Sequence, residues 1–204
     1  MIPSAATRTF SLAMVVAAAM ATGCAGWTQR FDAKKIALDR ERYGATADQR
    51  IKELAADAER AQKEGGGGSQ EFTRRLAATV LEEHDPRVRA AILDVAAGFD
   101  TPSAVAICKG ALEDPDQRVR DKACEIWGQR GGPEAVALLT TRFDADTDID
   151  VRLKAIRELG QLGDKTAIPT LARALENPDP AVQYCAVAAL KQVSGRDLGD
   201  DVNL

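Results

Sequence analysis

From about residue 70 onward, apolar residues recur in two registers that share a period of 31 or 32 residues. The first register runs through Leu76, Cys108, Leu139 and Leu171, and the second through Val88, Val119, Val151 and Val182. In each copy, apolar or small residues also stand four, five and eight positions after the valine, which places them on one face of a helix. A single helix pair cannot bury such a face alone. The pattern therefore predicts an all-α solenoid of about four stacked helix pairs.

Residues that begin and end helices recur in the same period. An aspartate stands three positions before each valine, at Asp85, Asp116, Asp148 and Asp179, where it is expected to cap the second helix of the pair. Pro86 and Pro180 follow two of these caps, at a position that favours proline. Gly128 and Gly160 stand nine positions after the valine and predict helix ends.

A basic residue follows the valine in three of the four copies. Arg89, Arg120 and Arg152 occupy this position, and Gln183 replaces them in the fourth copy, a change expected of a terminal capping repeat. Each arginine stands four positions after the capping aspartate, so the two side chains share one side of the first turn. The sequence leaves open whether they pair locally or with the neighbouring repeat.

One further helix is predicted before the repeats. Thr46 and Gln49 form a capping-box pattern, and apolar residues then follow at helical spacing. We predict an amphipathic helix over 47–64, which either packs on the repeats as a cap or stands apart as a spacer. The glycine-rich segment 65–69 is expected to be a flexible linker. These boundaries give a polar stalk over 24–69 and a repeat domain over 70–204 with a C-terminal cap.

The first 23 residues have the pattern of a secretory signal peptide. Arg8 precedes a short apolar segment from Phe10 to Ala21, which is too short to span a bilayer. The four residues 21–24, Ala-Thr-Gly-Cys, resemble the lipobox of bacterial lipoproteins. That resemblance implies lipidation of Cys24 and, with Ala25 next to it, an outer-membrane protein that faces the periplasm. The small residues at 19 and 21 also fit ordinary cleavage and a soluble periplasmic protein.

The repeats themselves resemble a known family. The segment 148–164, with Asp-x-x-Val-Arg at its start and Leu-Gly-Asp at its end, resembles the short HEAT-like repeats of the phycobilisome-lyase type. The resemblance covers about residues 70–194, and the tail after them is similar to that of bacterial HEAT-repeat lipoproteins, often of planctomycete type. It implies a helical solenoid that serves as a scaffold or adaptor for other proteins.

Composition and charge narrow the range of partners. Aromatic residues make up only 4% of the chain, which fits helices better than sheets. From Gln70 to the end, 17 Lys and Arg residues face 23 Asp and Glu residues, a net charge of −6. Since binding to phosphate backbones depends on clusters of Lys and Arg, this balance disfavours nucleic acid.

Little in the chain points to catalysis or to a cofactor. His84 is the one histidine, it precedes the first cap, and no nucleophile or phosphate-binding motif is present. The alternating aspartates 144, 146, 148 and 150 resemble the start of a calcium loop, but Ile149 and Ala155 stand where glycine and glutamate are required. We predict a turn there, and no metal, cofactor or small-molecule substrate. Cys108, Cys124 and Trp127 fall in core registers, and Cys185 in an outward one.

A protein partner is the expectation that remains. In HEAT arrays the outward positions of the second helices line the concave face, and here they include Asp121, Lys122, Glu125, Lys154, Arg157 and Tyr184. Tyr184 is the one aromatic residue among them, a type favoured in contact hot spots. The sequence thus predicts a non-catalytic, envelope-tethered interaction scaffold. A self-associating structural lipoprotein and a non-catalytic subunit of an enzyme complex remain as alternatives, and sedimentation would reveal self-association.

Overall fold

A computed structural model of the protein describes residues 44–195 together with Lys35, Ala37, Arg40 and Glu41. The chain forms two compact units, residues 1–46 and 47–204. In the first unit, the four separate positions are helical and exposed. The signal peptide, Cys24 and the tail after Gly195 lie outside the described residues.

Residues 47–195 of the second unit contain nine α-helices and no strand. They are α1 Ala47–Glu64, α2 Gly66–Glu82, α3 Pro86–Ala97, α4 Pro102–Gly110, α5 Gln117–Arg130, α6 Gly132–Ala145, α7 Ile149–Leu162, α8 Ile168–Leu175 and α9 Pro180–Ser194. Short 3-10 turns, Ala111–Glu113 and Lys165–Ala167, follow α4 and precede α8. The predicted all-α solenoid is confirmed.

The helices form two layers. The second helix of each pair contacts the second helix of the next pair, and α1 joins the same row by packing on α3. We call α1, α3, α5, α7 and α9 the second-helix layer, and α2, α4, α6 and α8 the first-helix layer. Between the layers the register residues are buried, with Cys108, Leu139 and Leu171 at 0% exposure and each register valine at 3% or less. One continuous core therefore runs through every repeat.

Helix α1 belongs to the repeat array and not to a stalk. Its residues Ala58 and Ala61 are buried, and Ile51 and Leu54 pack against the core. It contacts both α2 and α3, so it covers the end of the first repeat. Of the two alternatives that the sequence left open, the structure shows the cap, and the domain boundary drawn at residue 69 is wrong.

The predicted flexible linker is also wrong. Only Gly65, with a φ of 78°, breaks the helical path, and residues 66–69 form the first turn of α2. A Cβ on Gly68 would lie 2.6 Å from the Cβ of Glu64, so the chain turns back too tightly for a side chain there. Packing of α2 offsets the conformational entropy that ordering these glycines costs.

The aspartate caps are confirmed. Each accepts a hydrogen bond from the amide two residues further on, as the Arg87 and Arg118 amides show at 2.9 Å. The predicted helix ends at Gly128 and Gly160 are wrong, because α5 continues to Arg130 and α7 to Leu162. Gly131 and Gly163, with φ of 70° and 65°, are the residues that end these helices.

Gly128 and Gly160 instead allow neighbouring second helices to approach closely. A Cβ on Gly160 would lie 2.8 Å from both Cα and Cβ of Ala189 on α9. A Cβ on Gly128 would lie 2.0 Å from Oε2 of Glu158 on α7. The backbone of Ala189 leaves no room for a side chain at Gly160, whereas a side chain at Gly128 would require the Glu158 side chain to move.

We expect Gly160→Ala to lower the free energy of unfolding by about 1–3 kcal/mol, because the backbone of Ala189 cannot yield as a flexible side chain can. The clash opposes the gain of about 1 kcal/mol that alanine brings inside a helix. Gly110→Ala is the matched control, since nothing lies within 4 Å of its Cβ position. It should raise stability by about 0.4–1 kcal/mol. Urea titration measures both, and a Gly160→Ala protein as stable as the parent would refute the close approach.

Candidate interaction surface on the second-helix layer

The structure brings together five of the six residues predicted to line the binding face, all but Tyr184. Lys122 and Glu125 lie on α5, and Lys154 and Arg157 lie on α7, which packs directly beside α5. Their helices carry them because the positions three and six past each register valine face away from the core. Tyr184 lies apart from them on α9.

An alternating series of charges crosses three helices at this surface. Lys122 Nζ lies 3.1 Å from Asp94 Oδ1 on α3 and 3.7 Å from Glu125 Oε2. Lys154 Nζ lies 3.7 Å from the same Glu125 oxygen and 3.0 Å from Glu158 Oε1. We call these five residues the charge ladder. Two of its members, Asp94 and Glu158, were not singled out from the sequence.

Both lysines of the charge ladder are engaged by its carboxylates. The hydrogen bond to Asp94 raises the pKa of Lys122 above its ordinary value. Burial opposes the charged form of Lys154, but the Glu158 carboxylate outweighs it and raises the pKa of that lysine as well. Glu158 is 4% exposed, and burial raises the pKa of its carboxyl despite the lysine beside it. Three predicted binding residues are thus already engaged within the protein.

Asp121 differs from its neighbours. It lies on α5 beside the charge ladder, is half-buried, and makes no hydrogen bond or ion pair with any residue that the structure describes. Burial raises the pKa of its carboxyl, although the charges of Lys154 and Arg157 on α7 favour ionisation. Water still reaches the carboxylate oxygens, but half-burial makes their charge less favourable in the folded protein than in solution. Arg157 is exposed and likewise has no hydrogen-bonding or ionic partner among the described residues.

Tyr184 lies in the same register as Asp121 and Leu153, two positions after the valine. Asp121 at this position is influenced by charges on the next second helix, and Leu153 is only 8% exposed. Tyr184 is 71% exposed because α9 is the last helix in the described part of the array. The structure therefore places it at the end of the described repeats and not beside the other five residues.

Comparison with protein families identifies the repeats. A model described as HEAT repeats matches residues 73–152 and 142–201. The chain belongs to the HEAT-repeat family. No curated protein matches it. HEAT-repeat proteins are typically non-catalytic scaffolds, and the family therefore points to a protein partner.

Arginines connect successive HEAT repeats. Arg89 binds Asp114 through two hydrogen bonds of 2.7 Å, and Arg120 binds Asp146 at 2.8 and 3.0 Å. Asp114 and Asp146 also accept the amides of the capping aspartates two residues later. Asp-x-Asp before the register valine is the sequence signal for this link, which our sequence analysis did not use.

The other candidate chemistry is dispersed in the HEAT array. Asp144 binds Arg173, Asp146 binds Arg120, and Asp148 caps α7, so these carboxylates do not converge. Within the described residues, no three metal-ligating side chains form a group. His84 is exposed in the turn before α3. Cys108 and Cys124 are buried as predicted, and burial raises the pKa of the Cys124 thiol to about 12. Cys185 is half-buried.

Proposed function

We propose that this HEAT-repeat protein is a scaffold, tethered to the cell envelope, that binds a protein partner around Asp121 and Arg157. The observation that carries the proposal is the Asp121 carboxylate, half-buried and without an internal partner. A group that opposes folding is retained most readily where it serves binding. The charge ladder holds α3, α5 and α7 in place around it, and a partner would supply the missing donor to Asp121 and an acceptor to Arg157.

The envelope tether rests on the sequence of the first 24 residues. The apolar segment before Cys24 and the lipobox-like residues around it support lipidation, since two or three acyl chains anchor a protein stably. We propose the outer membrane with the repeats facing the periplasm, and a soluble periplasmic protein as the alternative. Among the helices that the structure describes, none is long and apolar enough to cross a membrane.

A self-associating structural role is the second candidate. The observation that favours it is Tyr184, a large and exposed side chain at the end of the described repeats, where a second copy could stack. This role predicts a concentration-dependent oligomer in sedimentation that Tyr184→Ala dissociates.

Asp121→Asn is expected to stabilise the protein and weaken partner binding. Because burial raises the pKa of Asp121, its ionisation opposes folding, so the folded state loses stability as pH rises from the ordinary pKa of 3.8 through the raised value. The asparagine variant should therefore melt at a higher temperature at pH 7, with the difference shrinking as pH is lowered. Partner affinity should fall by about tenfold or more, as for other engaged interface charges.

Both effects can be measured on one tagged protein. In-vivo crosslinking of a C-terminally tagged copy in its native cells identifies the partner, and binding of the purified partner then gives the affinity. Asp100→Asn, an exposed loop aspartate, is the matched control and should change neither property. A partner retained at full affinity by both Asp121→Asn and Arg157→Ala would exclude this surface. Fractionation of the same cells tests the tether, since Cys24→Ser should release a lipoprotein from the membrane fraction.

A further inference from the structure

Two junctions of the first-helix layer are closed by arginines. The position five residues after the first register is occupied by Leu81, Glu113, Asp144 and Glu176 in the four repeats. Between the second and third repeats, Arg142 of α6 lies 3.2 Å from Glu113 and donates a hydrogen bond to the Leu112 carbonyl oxygen. Between the third and fourth repeats, Arg173 of α8 lies 2.9 Å from Asp144.

The junction between the first and second repeats lacks both partners of this pair. Leu81 stands where the other repeats have an acid, and its side chain is 86% exposed. Gly110 and Ala111 stand where Arg173 and Arg142 stand in the later repeats. The result is an open groove of about 880 Å³ between α2, α3 and α4. At the next junction Arg142, which occupies the position of Ala111, is 7% exposed and contacts the preceding repeat.

The groove combines an apolar floor with an acidic rim. Val80 of α2 and Ile107 of α4 form part of the floor, and the exposed Leu81 stands at its edge. Four carboxylates line the rim, and each already pairs with an arginine: Glu83 with Arg50, Glu113 with Arg142, Asp114 with Arg89 and Asp116 with Arg118. The Glu113 side chain is 74% exposed at this rim, although Arg142 contacts it. The groove therefore offers an apolar contact beside Asp114, whose counterpart at the next junction, Asp146, holds two arginines, Arg120 and Arg142.

We propose that this groove binds a peptide segment of a partner protein in which an apolar side chain stands next to an arginine or lysine. The apolar side chain would cover Leu81, and the cation would take the place that Arg142 takes at the following junction. This site does not include Asp121. An experiment can therefore exclude binding at the groove without excluding binding at Asp121, and the reverse.

Two short peptides test the site directly. The probe is acetyl-Leu-Ala-Ala-Arg-Leu-amide, and the control is the same peptide with glutamate in place of arginine. Binding to the full chain is followed by NMR shifts of the Leu81 and Val80 methyl groups during titration to millimolar peptide. We expect the arginine peptide to shift these methyl groups saturably and the glutamate peptide to bind at least about tenfold more weakly.

The second part of the test uses variants in which the first junction is closed as the later junctions are. Leu81→Glu with Ala111→Arg installs the acid and the arginine of the later repeats, and it should weaken binding of the arginine peptide by about tenfold or more. Leu81→Gln alone removes the exposed leucine without any demand on packing and should also weaken binding. Ala172→Glu adds an acid to an exposed position of α8 and should leave binding unchanged.

Three results would overturn the proposal. The first is the absence of any methyl shift with millimolar arginine peptide, and the second is equal binding of the two peptides. The third is a parent protein that self-associates through the groove, seen as an oligomer in sedimentation that Leu81→Gln converts to a monomer. That last result would assign the groove to a second copy of this chain.

Discussion

Arg120→Ala is expected to lower the free energy of unfolding by about 3 kcal/mol, because it leaves a buried carboxylate without its cation. Asp146 has a side chain that is only 2% exposed, and that of Arg120 is 13% exposed. The guanidinium also donates a hydrogen bond of 2.9 Å to the Asp114 carbonyl oxygen in its own repeat, so the substitution breaks two hydrogen bonds between repeats and one within a repeat. Arg142 Nε, 3.5 Å from the same carboxylate, limits the loss.

The pH dependence of this loss has a definite sign. Burial alone would raise the pKa of Asp146, but hydrogen bonds from Arg120 and from the Asp148 amide outweigh burial and lower it below 3.8. A lowered pKa contributes stability that is present above the ordinary value and is lost as pH falls through the folded value. The difference between parent and variant should therefore be full at pH 7 and should shrink at strongly acidic pH.

Arg118→Ala is the control on the same helix. Arg118 pairs with Asp116, but its side chain is 79% exposed, and such surface pairs contribute about 0–1 kcal/mol. Chemical denaturation of both variants at several pH values separates the two cases. Equal effects of Arg118→Ala and Arg120→Ala would mean that the link between repeats does not stabilise the array.

The arginine–carboxylate pairs between successive repeats show which interactions could be predicted from the sequence. Arg50 to Glu83, Arg89 to Asp114 and Arg120 to Asp146 each connect one helix of the second-helix layer to the loop of the next repeat. From sequence, local pairing within the first turn was equally acceptable, because both geometries place the same residue types within reach. Arg152 has no such partner, because Asn177 stands where an acid is needed. Its guanidinium instead lies 5.1 Å over the Phe143 ring and donates a hydrogen bond to the Phe143 carbonyl oxygen.

Features decided within one repeat were predictable, and features decided between repeats were not. The register valines and aspartate caps depend on spacing along a single helix, so the period alone identified them. Gly160 has the same appearance in sequence whether it ends a helix or admits a neighbour, and only the position of Ala189 distinguishes the two. The same applies to Asp121, whose lack of a partner depends on which side chains α7 presents to it.

Leu171→Ala is expected to cost about 2–5 kcal/mol, the range for a buried leucine whose cavity does not collapse. Leu171 is fully buried in the first-helix layer, on α8. Leu139→Ala, at the equivalent position on α6, removes the same atoms from an equally buried site. Leu81→Ala is the matched control, because the exposed leucine should change stability by less than about 0.5 kcal/mol.

The two buried variants should differ in how the array unfolds. In stacked repeats, each unit is stabilised mainly by its neighbours, so damage at an end can unfold that end alone. Leu171→Ala should therefore increase amide hydrogen exchange in α8 and α9 while the helices from α2 to α5 keep their protection. Leu139→Ala weakens a repeat with neighbours on both sides, and it should split thermal unfolding into two transitions or lower the whole transition. If either variant melts like the parent in calorimetry, the 31–32-residue register does not describe the core.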